Sequence, residues 1–471
     1  MNRDDKKTLT TKTLSLLSVM GIVLANRFGV VGSSIAYGIL LVYASRGVAQ
    51  TLKALSVSVL IVYANLAIAR GNFVASGMRF ALVAVLLFKV VRAVRSRRKS
   101  LLSPFFVRAL VLFSLVCMVF AFIQGYQFNI AASKLLTFAA GVVALLCAGS
   151  TAKALPKRDI VAWAETLAMY VIGGTFAILS FARSYAYFAV SETGVRGLRG
   201  PFSHPNSMSL IAGLLATFLF SVLLFDQELS NGKRRLLALE SIILVAIVYL
   251  SQGRSGMFGV MAGLASGLAI AIFGLRPALS SVRTAVKRER LIFATAGISF
   301  LVIVFDSLTA RLVSRSAESF IMKGKTEQTV GLSAMYSSRS DIVATSWNNF
   351  LENPIAGIGF GTSRSEQYGA KTNSFAAPIE KGFLPTAILE ETGIIGAVLF
   401  CWFLFLLYKY MFKRRYFVAI CCLTAFIFVN MGEVTMFSIG GLGVLGWLIV
   451  ALGMQQGRTE DAPKSVPVAV T

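Results

Sequence analysis

Residues 196–207, RGLRGPFSHPNS, hold two arginines, a Gly-Pro turn and the chain's one histidine, His204, between oily stretches. Arginine's planar fork is the preferred bidentate partner of phosphate, and histidine moves protons near neutral pH. More arginines stand in other short polar gaps: Arg27, Arg70, Arg183 and Arg254, with Arg79 and Lys134 near the ends of apolar runs. Any one of them alone reads as an anchor whose stem lies along lipid while its head reaches water. As a set, with Arg196 and Arg199, they point to an anionic, lipid-like substrate. Arg339 joins this set because it precedes a helical pattern whose first N–H groups favour an anion. The plain alternative for Arg339 is an ion pair with Asp341.

The stretch IEKGFLPTAILEETGIIG (379–396) gathers Glu380, Lys381, Glu390 and Glu391. Acids at a helix start suit the helix dipole, but Glu390 and Glu391 stand about two turns in. Ionisable groups inside an apolar segment default to a functional reading. His204 also reads structurally, since it precedes Asn206, a suitable N-cap for the next helix. The GIGFG run (357–361) has phosphate-cradling spacing but lacks the strand before it and the helix after it that a nucleotide loop needs; it reads as a tight turn. Glu165 and Glu240 read as packing or interface residues. Gly259, Gly263 and Gly267 recur every four residues and imply close helix packing. The five cysteines lie in apolar runs and suggest no disulfide framework. With one histidine, no zinc site is suggested, and no metal or cofactor is expected.

These residues need a frame. Of 471 residues, 56% are hydrophobic and 14% charged, against about 25% charged in soluble domains. Apolar runs approach the roughly 20 residues a bilayer-spanning helix requires. The expected fold is all-α and polytopic, with about fourteen spans near 14–26, 29–44, 54–69, 76–94, 104–123, 130–150, 160–182, 207–226, 236–252, 256–274, 291–306, 383–411, 416–431 and 433–454. The N-terminal run reads as a first span rather than a removed signal peptide. The net charge of +25 fits basic loops held in the cytoplasm, not nucleic-acid binding. A cytoplasmic N-terminal tail (1–12) puts the basic loops at 46–53, 92–99, 151–158, 231–235, 275–290 and 413–415 inside, and the tail 455–471 inside as well. It puts a large loop, 307–382, on the periplasmic or extracellular side. Within that loop Ile342, Val343, Trp347, Phe350 and Leu351 recur at helical spacing. Ser340 as N-cap and Asn353-Pro354 as a stop predict an amphipathic helix over 341–352.

RGPFSHPNS before a span, LSQGRSGMFG between two spans, SRSDIVATSWNNFLENPIAGIGFG and LEETGIIG, in this order over 196–396, resemble the O-antigen ligase and polymerase superfamily. The resemblance implies a membrane glycosyltransferase of the C type (GT-C-like). Such enzymes move glycan from a polyprenyl (undecaprenyl) diphosphate carrier to an acceptor hydroxyl at the outer face of the bacterial cytoplasmic (inner) membrane, without a metal. By motif position it assigns the diphosphate to Arg199, Arg254 and Arg339, with Arg196 beside them; in such a transfer Glu380 is the first candidate for the base or acceptor-orienting role and His204 the second. The ligases' His-Asn pair, about nine residues before the acid of their L-x-E-x-G-x-x-G segment, is replaced here by Gly382-Phe383, which favours a polysaccharide polymerase or another branch of the superfamily. Expected partners are the carrier-linked glycan, a glycan or lipid acceptor, the bilayer and other polysaccharide-assembly membrane proteins. The alternatives are a ligase acting on lipid A-core, a flippase and a non-catalytic scaffold. Transporters place binding groups near the midplane within repeated halves; here the unusual charges gather at one edge and no repeat is evident.

Overall fold

The computed structural model describes residues 3–65, 67, 73–96, 104–125, 127–150, 155–189, 196–273, 340–362 and 381–457. Arg70, Arg339, Glu380, the expected span at 291–306, most of the 307–382 loop and the tail beyond 457 lie outside the described residues.

The described chain is helical almost throughout. In order the helices are α1 Arg3–Ala25, α2 Gly29–Ser45, α3 Val48–Val62, α4 Phe73–Ser96, α5 Phe105–Gln124, α6 Phe128–Ser150, α7 Lys157–Phe181, α8 Pro205–Phe225, α9 Asn231–Leu250 and α10 Arg254–Phe273. After the undescribed stretch come α11 Ser340–Glu352, α12 Leu384–Lys413, α13 Phe417–Val429 and α14 Gly443–Gln456. Among the described residues seven segments are long and apolar enough to cross a bilayer: Thr13–Ser45, α5, α6, α7, α8, most of α10, and α12. Local chemistry sets the boundaries. Pro104 and Pro156 precede α5 and α7, and Gly125, left-handed at φ 66°, ends α5.

Each predicted span that falls on described residues contains a helix, but two are displaced. Helix α3 ends at Val62, not near 69, because Ala64 bridges Phe202 and Asn65 turns away to bond another loop. Helix α14 starts at Gly443, not 433: Asn430 Oδ1 accepts from Thr435 N and Met436 N at 2.6 and 2.7 Å, closing a turn that a helix cannot continue through. The one departure from all-α among the described residues is a short antiparallel hairpin, β1 Tyr187–Ala189 with β2 Arg196–Leu198, pairing Ala189 with Arg196.

Outward faces are apolar at helical spacing, as lipid contact demands. On α12 Ile394, Val398, Trp402 and Phe405 are exposed, and Trp347, Leu351 and Ile355 on and after α11 are exposed too. Inward, α10 lies between α8 and α13. A Cβ at Gly259 or Gly263 would meet Val429 Cγ2 or Thr217 Cγ2 at 2.5 Å, so the glycine repeat does serve close packing.

The bundle has two chemically different ends. At one, Lys89 donates to Ser45 O at 2.7 Å, Lys157 pairs with Glu228 at 3.6 Å, Lys233 pairs with buried Glu165, and Gln456 donates to Asp226 at 2.8 Å. The described basic loops lie here. At the other end, Asn65 donates to Tyr185 O and Gly200 O at 2.8 and 2.7 Å, Ser209 donates to Gly253 O at 2.9 Å, and Leu384 N donates to Asn430 O at 3.1 Å. This loop end carries Arg196, Arg199 and Arg254.

Candidate active site

The RGPFSHPNS segment is a rigid shelf at the loop end. Arg199 N donates to Ala186 O at 2.9 Å, Ser203 N to Tyr63 O at 2.8 Å and Asn65 N to Pro201 O at 2.8 Å. Gly200 has φ +49°, and a Cβ there would lie 2.7 Å from Thr175 Oγ1 and 2.9 Å from Met208 Cε; only glycine fits. Arg199 is nearly buried, its Nε donates to Tyr185 O at 2.7 Å, and its guanidinium lies over the Phe188 ring at 5.6 Å. Burial pulls Arg199 below the ordinary arginine value and Tyr185 opposes that shift; it stays a cation. Arg196 is exposed on β2.

His204 itself, not Asn206, is the N-cap of α8: its Nδ1 accepts from Asn206 N at 3.1 Å, with Pro205 as the first helical residue. A neutral imidazole that accepts at Nδ1 carries its proton on Nε2. His204 is therefore arranged as a donor, which argues against the proton-acceptor role suggested by its residue type.

Arg254 opens α10 beside this shelf. Gly253 N donates to Ser251 Oγ at 3.3 Å, and Gly432 packs so tightly that a Cβ on it would lie 2.8 Å from Ser255 Cβ. That contact packs the start of α10 against the turn after α13. Asn206 Nδ2 donates to Glu433 Oε1, so the turn after α13 also meets the start of α8.

A second assembly forms where α12 breaks. Gly393 takes φ 62° and ψ −173° inside α12, opening the helix after its first turns. The GIGFG segment fills the opening: Ile358 N donates to Glu390 O at 2.8 Å, Gly359 N to Glu391 O at 3.2 Å and Ile394 N to Pro354 O at 2.8 Å. Non-helical backbone is tolerated inside a membrane bundle when protein satisfies it in this way. Phe360, almost fully buried, anchors the segment among Phe113, Phe138 and Phe437, with ring centroids 6.3, 5.5 and 5.3 Å away. GIGFG is thus a turn, as its sequence context suggested, and no phosphate cradle.

Beside it lies a buried ionic cluster. Lys381 Nζ is 3.1 Å from Glu390 and 3.2 Å from Glu391, and donates to Thr362 O at 2.7 Å. Asn349 on α11 donates to Glu390 at 2.7 Å, Gly361 N donates to Glu391 at 2.7 Å, and Lys134 on α6 donates to Gly361 O at 2.8 Å. Burial works against the Lys381 ammonium, but Glu391 and Glu390 outweigh it and hold its pKa above the usual lysine value. The two carboxylates flagged by sequence are therefore committed to a cation and to the loop frame.

The structure brings Arg196, Arg199, His204 and Arg254 to one end, while Arg339 and Glu380 fall outside the described residues. Residues that sequence reasoning missed are Asn65, Asn430 and Glu433. Among the described residues no three His, Cys, Asp or Glu side chains cluster to hold a metal.

Fold and site together define a polytopic helical membrane protein with a cationic, backbone-braced loop end. The O-antigen ligase family model matches residues 239–401, from α9 into α12 and including Arg254 and the ionic cluster. That match supports a likeness to the O-antigen ligase and polymerase superfamily over this region. No curated protein matches it.

Proposed function

We propose that this protein is a metal-independent, inverting membrane glycosyltransferase that polymerises surface polysaccharide repeat units. It takes glycan from an undecaprenyl diphosphate carrier at the outer face of the bacterial cytoplasmic membrane. The loop end is the outer face, and the bundle of about fourteen spans is of the GT-C-like type. The observation that carries the reading is the convergence of Arg196, Arg199 and Arg254 at one end of the bundle, opposite the basic loops, in a chain whose 239–401 region matches the family. The positive-inside tendency supports that orientation.

In this reading the acceptor hydroxyl attacks the anomeric carbon as diphosphate leaves. Arg199 and Arg254, with Arg196 and Arg339, stabilise the charge that grows on the leaving group, where preorganised cations act most strongly. His204, with its proton on Nε2, donates to the same phosphate oxygens. The flanking Asn65 and Tyr63 bonds keep the shelf fixed, so little reorganisation is needed at the moment of transfer.

Two measurements test this. A deletion strain of a polymerase accumulates single repeat units; finished polymer left on the carrier indicates a ligase, and inward-trapped units indicate a flippase. Purified Arg254→Ala should lose transfer by about 10²–10³-fold, and full activity in that variant refutes the clamp.

A further inference from the structure

The proposed transfer needs a group to receive the hydroxyl proton. We infer that Glu433 is this group, a catalytic carboxylate facing the acceptor hydroxyl, a role that rests on the transferase reading. Glu433 is partly exposed at the loop end. Asn206 Nδ2 donates to its Oε1, tying it to the first turn of α8 directly after His204. The contact of its neighbour Gly432 with Ser255 packs this turn against the start of α10, which Arg254 opens. A base must reach the site where the leaving group is held, and Glu433 stands between the two arginine-bearing motifs.

The turn is also rigid. Asn430, fully buried, donates to Phe426 O at 2.7 Å and accepts from Thr435 N and Met436 N at 2.6 and 2.7 Å, while its own carbonyl accepts from Leu384 N at 3.1 Å. Glu433 N donates to Val429 O at 3.1 Å within this frame. A catalytic side chain held by packed, hydrogen-bonded support is what the chemistry demands.

Other described groups are spoken for. His204 Nδ1 accepts from Asn206 N, which leaves Nε2 as a donor. Glu390 and Glu391 are paired with Lys381. Asp341 and Glu352 lie exposed on α11. The step balances: the hydroxyl oxygen forms the new bond to the anomeric carbon, the carbon–oxygen bond to diphosphate breaks with its electron pair on diphosphate, and Glu433 takes the proton and passes it to water.

The test uses the purified full chain in nanodiscs and, as substrate, the carrier-linked glycan that accumulates in a strain deleted for this protein. Undecaprenyl diphosphate alone serves as the binding probe. Glu433→Gln still accepts from Asn206. It should bind the probe within about threefold of wild type, leave KM in place and lower kcat at least about a hundredfold. Glu433→Asp should retain more activity than Glu433→Gln, and added formate should partly restore Glu433→Ala. A kcat for Glu433→Gln within about threefold of wild type overturns the assignment. So does a kcat loss matched by lost probe binding without formate rescue, which makes Glu433 a structural brace. Wild-type protein that binds the probe and transfers nothing overturns the transferase reading itself, and Glu433 with it.

Discussion

Replacing Lys381 with methionine keeps its length and removes the cation that lies between two buried carboxylates. The Lys381, Glu390 and Glu391 side chains are 2%, 2% and 5% exposed, so water cannot take over the lysine's role. Breaking a buried ion pair from one side costs about 3–5 kcal/mol. The lost bond to Thr362 O adds to this, while Asn349 and Gly361 N still serve Glu390 and Glu391. The expected loss is about 3 kcal/mol, the lower end of that range. The assay is reversible unfolding in mixed detergent, followed by far-UV circular dichroism. The double variant Lys381→Met with Glu391→Gln removes one stranded charge and should recover at least about 1 kcal/mol, a coupling that neighbours in one network show. The pH dependence has a definite sign. Lys381 is held above its ordinary value, so its contribution is whole below about pH 10.4 and fades as pH rises through the folded value. The methionine variant should lack that alkaline step. A single variant within about 0.5 kcal/mol of wild type, or a double variant with no recovery, refutes the account of the cluster.

Gly393→Ala should destabilise by about 1–3 kcal/mol, since φ is +62° there and a Cβ would run into the Ile355 carbonyl; thermal unfolding reads the loss. His204→Ala should cost about 1 kcal/mol as a lost N-cap, and His204→Asn or His204→Ser should restore most of it. Transfer activity in His204→Asn should persist within about tenfold, because the histidine donates rather than accepts a proton; complete loss of turnover with intact carrier binding would contradict that assignment.

Much of the frame was legible because lipid imposes a simple rule. Runs such as 396–408 can only be buried in a bilayer or a core, and α5, α6 and α12 lie where their apolar stretches lie. The amphipathic helix was legible from Trp347, Phe350 and Leu351; it begins at Ser340 and stops before Asn353-Pro354. What stayed hidden depends on contacts between distant positions. Glu390 and Glu391 stood out as charges in an oily segment, but no local pattern names Lys381 as their partner across the first turns of α12. Glu433 looked like the first residue of a span, since the sequence on both sides is equally apolar. Only the Asn430 turn, closed by a side chain that reaches five and six residues ahead, separates α13 from α14 there. Asn65 likewise gives no local sign that it bonds a carbonyl 135 residues away.

The bond from Lys381 Nζ to Thr362 O joins two positions 19 residues apart in sequence at 2.7 Å. Whatever the chain carries between them therefore starts and finishes at one fixed point on the bundle. The end of the GIGFG segment and the start of α12 are thereby clamped together, so a change at Thr362 or Lys381 is felt on both sides of that stretch.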